Sequence, residues 1–287
     1  RCVSFALATV MALSLAGCKA GGNDGSQPGS GTAGQSQTGQ APGGAAGEKI
    51  VNIGVTNPLN TLNPLLMDGM EMNKYATGLM FLPLMELDKD MNFEGMLADS
   101  VTAEDDRNFL VHIDDKAVWS DGQPVTADDV VYTALRICSP AIGNMAMMYY
   151  VFEGVGDDGF VEEGADHVEG IKVIDDYTVS FTFKAPYLDA LVKFIDKPVL
   201  AKHIWEGTPV GKWGDATELL QNPVGTGPYK FVEFVPDQYV KLVANPDYFK
   251  GEPLIKNFIF KVSNKDTCQA ELVNGDIDVT EVRTWRP

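Results

Sequence analysis

The chain has 287 residues, 45% of them apolar, and a formal net charge of −18 at pH 7. That much apolar material supports one large core or two modest ones, which excludes a wholly disordered protein. The one-signed acidic charge repels phosphate backbones and anionic lipid headgroups, so nucleic acid is excluded as a partner.

The opening segment follows its own logic. Val3 to Ala16 is an uncharged run of apolar and small residues that ends in Leu15-Ala16-Gly17-Cys18. Such a run reads as a signal-peptide h-region, too short for a transmembrane helix and followed by a polar tract. Small residues ahead of a cysteine resemble a bacterial lipobox. Residues 1–17 are therefore expected to be a lipoprotein signal peptide, and Cys18 the residue that takes the lipid anchor; an uncleaved hydrophobic anchor with an incidental cysteine is the alternative. Because the first residue is Arg1 and not methionine, the true beginning is expected to lie upstream. Residues 21–47 are almost all Gly, Ser, Thr, Gln, Ala and Pro, a composition that cannot offset its own ordering entropy. Residues 18–48 are expected to form a disordered tether, an arrangement suited to a ligand collector held near a membrane.

From Lys49 onward the texture becomes periodic. Ile50, Ile53 and Val55 predict a strand that stops at Asn57-Pro58, where proline forbids further laddering. A helix is predicted over 68–80, closed by Pro83, then short strands at Leu84–Leu87 and Phe109–Ile113. Trp119-Ser120-Asp121-Gly122 is a tight-turn sequence. Thr126 and Asp129 have capping-box spacing with acids in the first turn, so a helix starts there. Its apolar positions Val130, Val131, Ala134, Leu135 and Cys138 recur at helical spacing as far as Pro140. Residues 156–170 read as a solvated acidic loop. A hairpin follows, with Ile171, Val173, Val179, Phe181 and Phe183 alternating with polar residues. Further helices are predicted at Tyr187–Ile195, Ala216–Leu220 and Asp266–Val273, the last stopped by Gly275. Strands are predicted at Tyr229–Val235, Tyr239–Val243, Ile255–Val262 and from Ile277 to Glu281.

Few residues suggest chemistry. Cys2 and Cys18 belong to the export segment, and Cys138 and Cys268 are expected to be buried as small hydrophobes. No Cys-x-x-Cys or His/Cys cluster supports zinc or redox chemistry. The three histidines, His112, His167 and His203, stand outside every metalloprotease or hydrolase motif and read as structural or surface residues. Asp88, Asp90, Asn92, Glu94 and Asp99 have calcium-loop spacing, but Phe93 takes the place where the sharp turn demands glycine. The acidic Asp157, Asp158, Glu162 and Glu163 read as a wet surface. In Asn222-Pro223-Val224-Gly225-Thr226-Gly227-Pro228 the glycines lack the Lys-Ser/Thr pair of a phosphate loop, and the segment reads as a rigid turn feeding the strand at Tyr229.

Five blocks, in order, carry a family resemblance: AVWSDGQPVTADDVV (117–131), GIKVIDDYTVSFTFKA (170–185), VLAKHIWE (199–206), NPVGTGPYKF (222–231) and NPDYFKGEP (245–253). Together, behind a lipobox, they resemble the peptide/nickel-binding solute-binding proteins of ABC importers, family 5. The resemblance implies an α/β, type II periplasmic-binding-protein-like fold of two lobes about a cleft (cluster C), with a small α+β domain inserted in the first lobe. On that template residues 49–70 and 200–287 form lobe I and residues 71–199 the inserted domain. Family members are considerably longer, so most of the second lobe is expected to be absent from this chain.

For function the resemblance implies a monomeric, non-enzymatic carrier without metal or cofactor. It would bind oligo- or dipeptides at the outer face of the bacterial cytoplasmic membrane, or in a periplasm, and deliver them to permease subunits. In the family the loop after the first strand runs alongside the ligand, which maps to Thr56, Asn57, Pro58 and Leu59. Backbone groups there would pair with any peptide main chain, giving affinity without sequence preference. Tyr149 and Tyr150 are candidates to face the cleft, with simple packing of the 145–150 stretch as the other reading. The same fold could instead carry a nickel chelate, haem or an oligosaccharide. A surface hydrolase using a carboxylate pair is the rival from another class.

Overall fold

The computed structural model describes residues 49–67, 71–144, 149–195 and 197–280. The predicted signal peptide, Cys18 and the tether lie outside the described residues. In chain order the elements are β1 (Ile50–Val55), α1 (Glu71–Met80), β2 (Met85–Leu87), β3 (Phe93–Gly95), β4 (Ala98–Ala103), β5 (Asn108–Ile113), α2 (Ala127–Ile137), β6 (Ile171–Asp175) and β7 (Thr178–Thr182). A 3-10 turn at Ala190–Phe194 follows, then α3 (Lys202–Trp205), a second 3-10 turn at Val210–Asp215, and α4 (Thr217–Gln221). The last elements are β8 (Tyr229–Val235), β9 (Tyr239–Ala244), β10 (Asn257–Val262), α5 (Cys268–Asn274) and β11 (Val279–Thr280).

Besides the two-stranded pair β2-β3, two sheets organise these elements. The larger has the order β11-β1-β10-β9-β8. In it β1 runs parallel to both β10 and β11, while β9 and β8 continue antiparallel. Joining β10 to β11 through α5 makes a strand-helix-strand unit, which needs a crossover because its strands are parallel. The smaller sheet is the antiparallel set β4-β5-β7-β6, with Phe109, Val111, Ile113, Val179 and Phe181 turned into a core with the helix α2. Residues 93–95 and 98–103, which show no strand pattern, form β3 and β4. Most of their side chains are exposed, so only pairing with β2 and β5 reveals them.

The predicted helix at 187–195 is shorter and tighter than expected. Only the 3-10 turn forms before Lys197-Pro198, since the residue ahead of a proline is pushed out of the α region. In the 156–170 loop the acids are exposed, but Val161 and Val168 are buried and the Val161 N–H donates to Cys138 O at 2.9 Å. Val173 is exposed despite its place in the alternation, because β6 is an edge strand with a register shift between Val173 and Asp175.

The Thr126 turn behaves as predicted: Asp129 reaches back to accept the Thr126 N–H at 3.0 Å, completing a capping box. Gly275 ends α5 in the left-handed conformation, φ 80°. The two-glycine loop before β8 is stitched to distant segments. Gly227 N–H donates to Met80 O at 2.8 Å, Leu82 N–H to Thr226 Oγ1 at 3.2 Å, and Ser120 N–H to Gly225 O at 2.8 Å. A Cβ on Gly225 or Gly227 would overlap the Met80 or Leu79 carbonyl, so both positions need glycine for close backbone approach. Cys138 and Cys268 are buried thiols outside any disulfide, and Cys268 Sγ donates to Lys265 O at 3.4 Å.

Candidate functional site

Parallel strands place their C-terminal ends on one edge of a sheet, where ligands of open α/β folds gather. β1 reaches that edge at Val55, and its registers set Ile53 opposite Phe260 and Val279. Ile53, Val55, Phe258, Phe260 and Val279 share one face of the sheet. With Tyr75 and Leu79 of α1 and Thr56 they line an open, mainly apolar cavity of about 400 Å³. Gly54 points to the other face, where an added Cβ would strike Ile277 Cδ1, so the glycine lets Ile277 pack beneath the strand. The strand end is pinned on both sides: Ser263 N–H donates to Val55 O at 2.7 Å and Thr280 Oγ1 to Gly54 O at 3.2 Å.

The loop leaving β1 is anchored at its far end. Leu59, Leu62 and Leu65 are buried, the Asn60 N–H donates to Asn73 Oδ1 of α1 at 2.9 Å, and Asn144 Nδ2 donates to Leu65 O at 2.9 Å. Thr56 and Asn57 are half-buried and Pro58 is exposed. Among the described residues, the backbone of Thr56 and Asn57 joins none of the loop hydrogen bonds that hold the rest. A rigidly held loop with unpinned N–H and C=O groups at its start is an arrangement that can pair with an extended main chain.

Of the residues singled out in the sequence, Thr56 alone lines this cavity, with Asn57 and Pro58 just beyond it and the Leu59 side chain turned into the core. Tyr149 and Tyr150 belong to a separate aromatic group. The Tyr149 ring is buried against Phe152, centroids 5.1 Å apart, whereas Tyr150 is 48% exposed. The cavity walls from α1, β10 and β11 went unnoticed in the sequence. Their apolar spacing announces a helix and strands but not which edge they share.

Elsewhere the titratable groups serve local geometry. His112 meets Asp99 at 3.0 Å, His167 meets Asp166 at 2.6 Å and His203 meets Asp121 at 2.8 Å. In the segment with calcium-loop spacing, Asp88 accepts the Asp90 and Asn92 N–H groups, both at 2.8 Å, and the bond from Asn92 holds its carboxyl below the usual range. Glu94 and Asp99 lie on β3 and β4, so only Asp88, Asp90 and Asn92 belong to the turn that joins β2 to β3. Among the described residues no group of three His, Cys, Asp or Glu side chains could hold a metal ion.

The family model described as bacterial extracellular solute-binding proteins, family 5 Middle, matches residues 92–286. The oligopeptide-binding protein AppA of Bacillus subtilis is 29% identical over 203 residues, covering 69% of this chain and 34% of that protein. The structure of the same protein in complex with a nonapeptide superposes with a TM-score of 0.66 at 25% identity, over 80% of this chain and 43% of that one. NikZ from Campylobacter jejuni, in complex with Ni(L-His), has the same fold, with a TM-score of 0.65 at 24% identity, over 79% of this chain and 42% of that one. The chain thus spans about a third of the length of curated relatives that it matches.

Proposed function

Because the chain belongs to the family 5 bacterial extracellular solute-binding proteins, we propose that it supplies one wall of a peptide-binding cleft in the substrate-binding component of an ABC importer. On this reading the protein captures oligo- or dipeptides outside the cytoplasmic membrane and hands them to permease subunits. Cys18 would carry the lipid anchor and residues 18–48 the tether, and a second lobe would close over the cargo about a hinge.

The observation that carries the proposal is the exit of β1. Thr56 and Asn57 leave the C-terminal edge of three parallel strands with their backbone outside the loop hydrogen bonds, beside an apolar cavity. Main-chain pairing supplies affinity that ignores the cargo's sequence, and the apolar walls Ile53, Tyr75, Phe258 and Val279 accept side chains of varied shape. One wall leaves most of a peptide in water, so tight binding requires the facing lobe.

The test is calorimetry of the full-length protein against a peptide library graded by length. Saturable binding of peptides is the expected result. Binding of a nickel chelate or an oligosaccharide with none of any peptide would reassign the cargo, and turnover of a bound peptide would place the protein among the hydrolases.

A further inference from the structure

Lys193 stands on the 3-10 turn with its Nζ 5.3 Å from the centroid of the Tyr150 ring and 5.5 Å from that of Tyr187. Tyr187 is itself fixed, stacked on buried Phe183 with centroids 5.3 Å and planes 11° apart. The same segment carries exposed apolar side chains: Leu188 is wholly exposed, and Val192 and Tyr150 nearly half so, with the exposed Asp189 beside Leu188. Among the described residues Lys193 makes no ion pair, although the chain has 40 acidic side chains against 22 lysines and arginines. Lys184 and Lys202, by contrast, are held by Asp157 at 3.2 Å and Asp128 at 3.0 Å. A second cation, buried Lys197, lies 6.0 Å from the centroid of the neighbouring Tyr149 ring.

An ammonium between two aromatic faces surrenders part of its hydration but keeps N–H donors for an anion. The exposed phenol of Tyr150 adds an O–H donor beside it, and Leu188 and Val192 add apolar surface that gains by being covered. A bulky hydrated anion would leave those side chains wet. A carboxylate attached to an apolar group would satisfy both halves.

We propose that Tyr150, Lys193 and Tyr187, with Leu188 and Val192, form a recognition site for a carboxylate borne on an apolar body. The identity of its ligand rests on the carrier reading above: it is the terminal carboxylate of a peptide whose last residue is hydrophobic. Lys193 is then a specificity-determining residue, selecting free C-termini.

The chain is titrated with N-acetyl-L-leucine and, separately, with N-acetyl-L-leucinamide, following the Lys193 ε-methylene and Tyr150 ring resonances by NMR. Saturable shifts are expected with the acid and binding at least about 10-fold weaker with the amide, the size of a lost charge-assisted hydrogen bond. Lys193→Met should abolish the difference and Lys193→Arg should restore most of it. Equal titration by both probes, no shift at either residue, or an acid response unchanged in Lys193→Met overturns the site. Calorimetry of the full-length protein with free and amidated peptides separates the two proposals. Peptide binding indifferent to amidation and to Lys193→Met removes this site and leaves the carrier. Saturable N-acetyl-leucine shifts without peptide binding keep the carboxylate site and remove the carrier.

Discussion

The indole Nε1–H of Trp119 donates to Asp129 Oδ2 at 3.2 Å, inside a region where both residues are almost wholly buried. The same carboxylate accepts the Thr126 N–H at 3.0 Å and, through Oδ1, the Lys202 N–H at 2.8 Å. One side chain thus joins the tight turn, the start of α2 and the start of α3. Asp129→Asn would aim an amide N–H₂ at N–H donors and should cost about 2–4 kcal/mol, whereas Trp119→Phe, apart from its smaller volume, removes one bond of about 1–2 kcal/mol. Urea unfolding of the two variants decides it; equal losses would show that the carboxylate does not hold three donors.

Gly225 and Gly227 lie against the carbonyls that end α1. Gly225→Ala or Gly227→Ala should lose about 2 kcal/mol or more, since backbone cannot step aside as a flexible side chain does. Gly207→Ala and Gly211→Ala, where an added methyl meets open space, should stay within about 0.5 kcal/mol of the parent. Thermal melts of the four variants provide the comparison, and an undisturbed Gly227→Ala would contradict the close approach.

The cavity beside β1 separates packing from binding. Phe260 is 2% exposed, so Phe260→Ala should destabilise by about 3–5 kcal/mol. Tyr75 on the facing helix is 41% exposed, and Tyr75→Ala should cost under about 1 kcal/mol while weakening peptide capture by the full-length protein. Calorimetry paired with urea unfolding measures both; unchanged peptide affinity in Tyr75→Ala would place the cargo away from this cavity.

Burial pushes the Cys138 thiol up to about 12, and burial, with Glu86 and Glu94 nearby, pushes the Tyr248 phenol up to about 12. In both groups the folded state resists ionisation more than the unfolded chain does. Their contribution is complete below the unfolded values and is lost as pH climbs from about 9 toward 12. The urea midpoint should therefore fall through that window, and Cys138→Ala should flatten the start of the decline. A midpoint that holds steady over the same range would show that neither group stays buried and neutral.

Alternation and capping are written over a few neighbouring residues, so they could be read directly. Val179 and Phe181 announced the inward face of β7, and Thr126 with Asp129 announced the start of α2, because the groups that bond there are three residues apart. β3 and β4 carried no such signature. Most of their side chains face water, and their strand character comes from hydrogen bonds to β2 and β5. The candidate site was legible only as the Thr56–Leu59 loop; its walls and the Lys193 contact with Tyr150 were not.

From the sequence alone come the periodic elements, the helix starts and stops, and the ordered blocks that mark the family. Tertiary structure alone decided that β1 sits between β10 and β11, that α1 and those strands enclose one cavity, and that Asp129 reaches Lys202. The physical reason is range. A capping bond or an apolar stripe is settled by residues within a turn of each other, whereas neighbours some two hundred residues apart are chosen by which faces can be buried together.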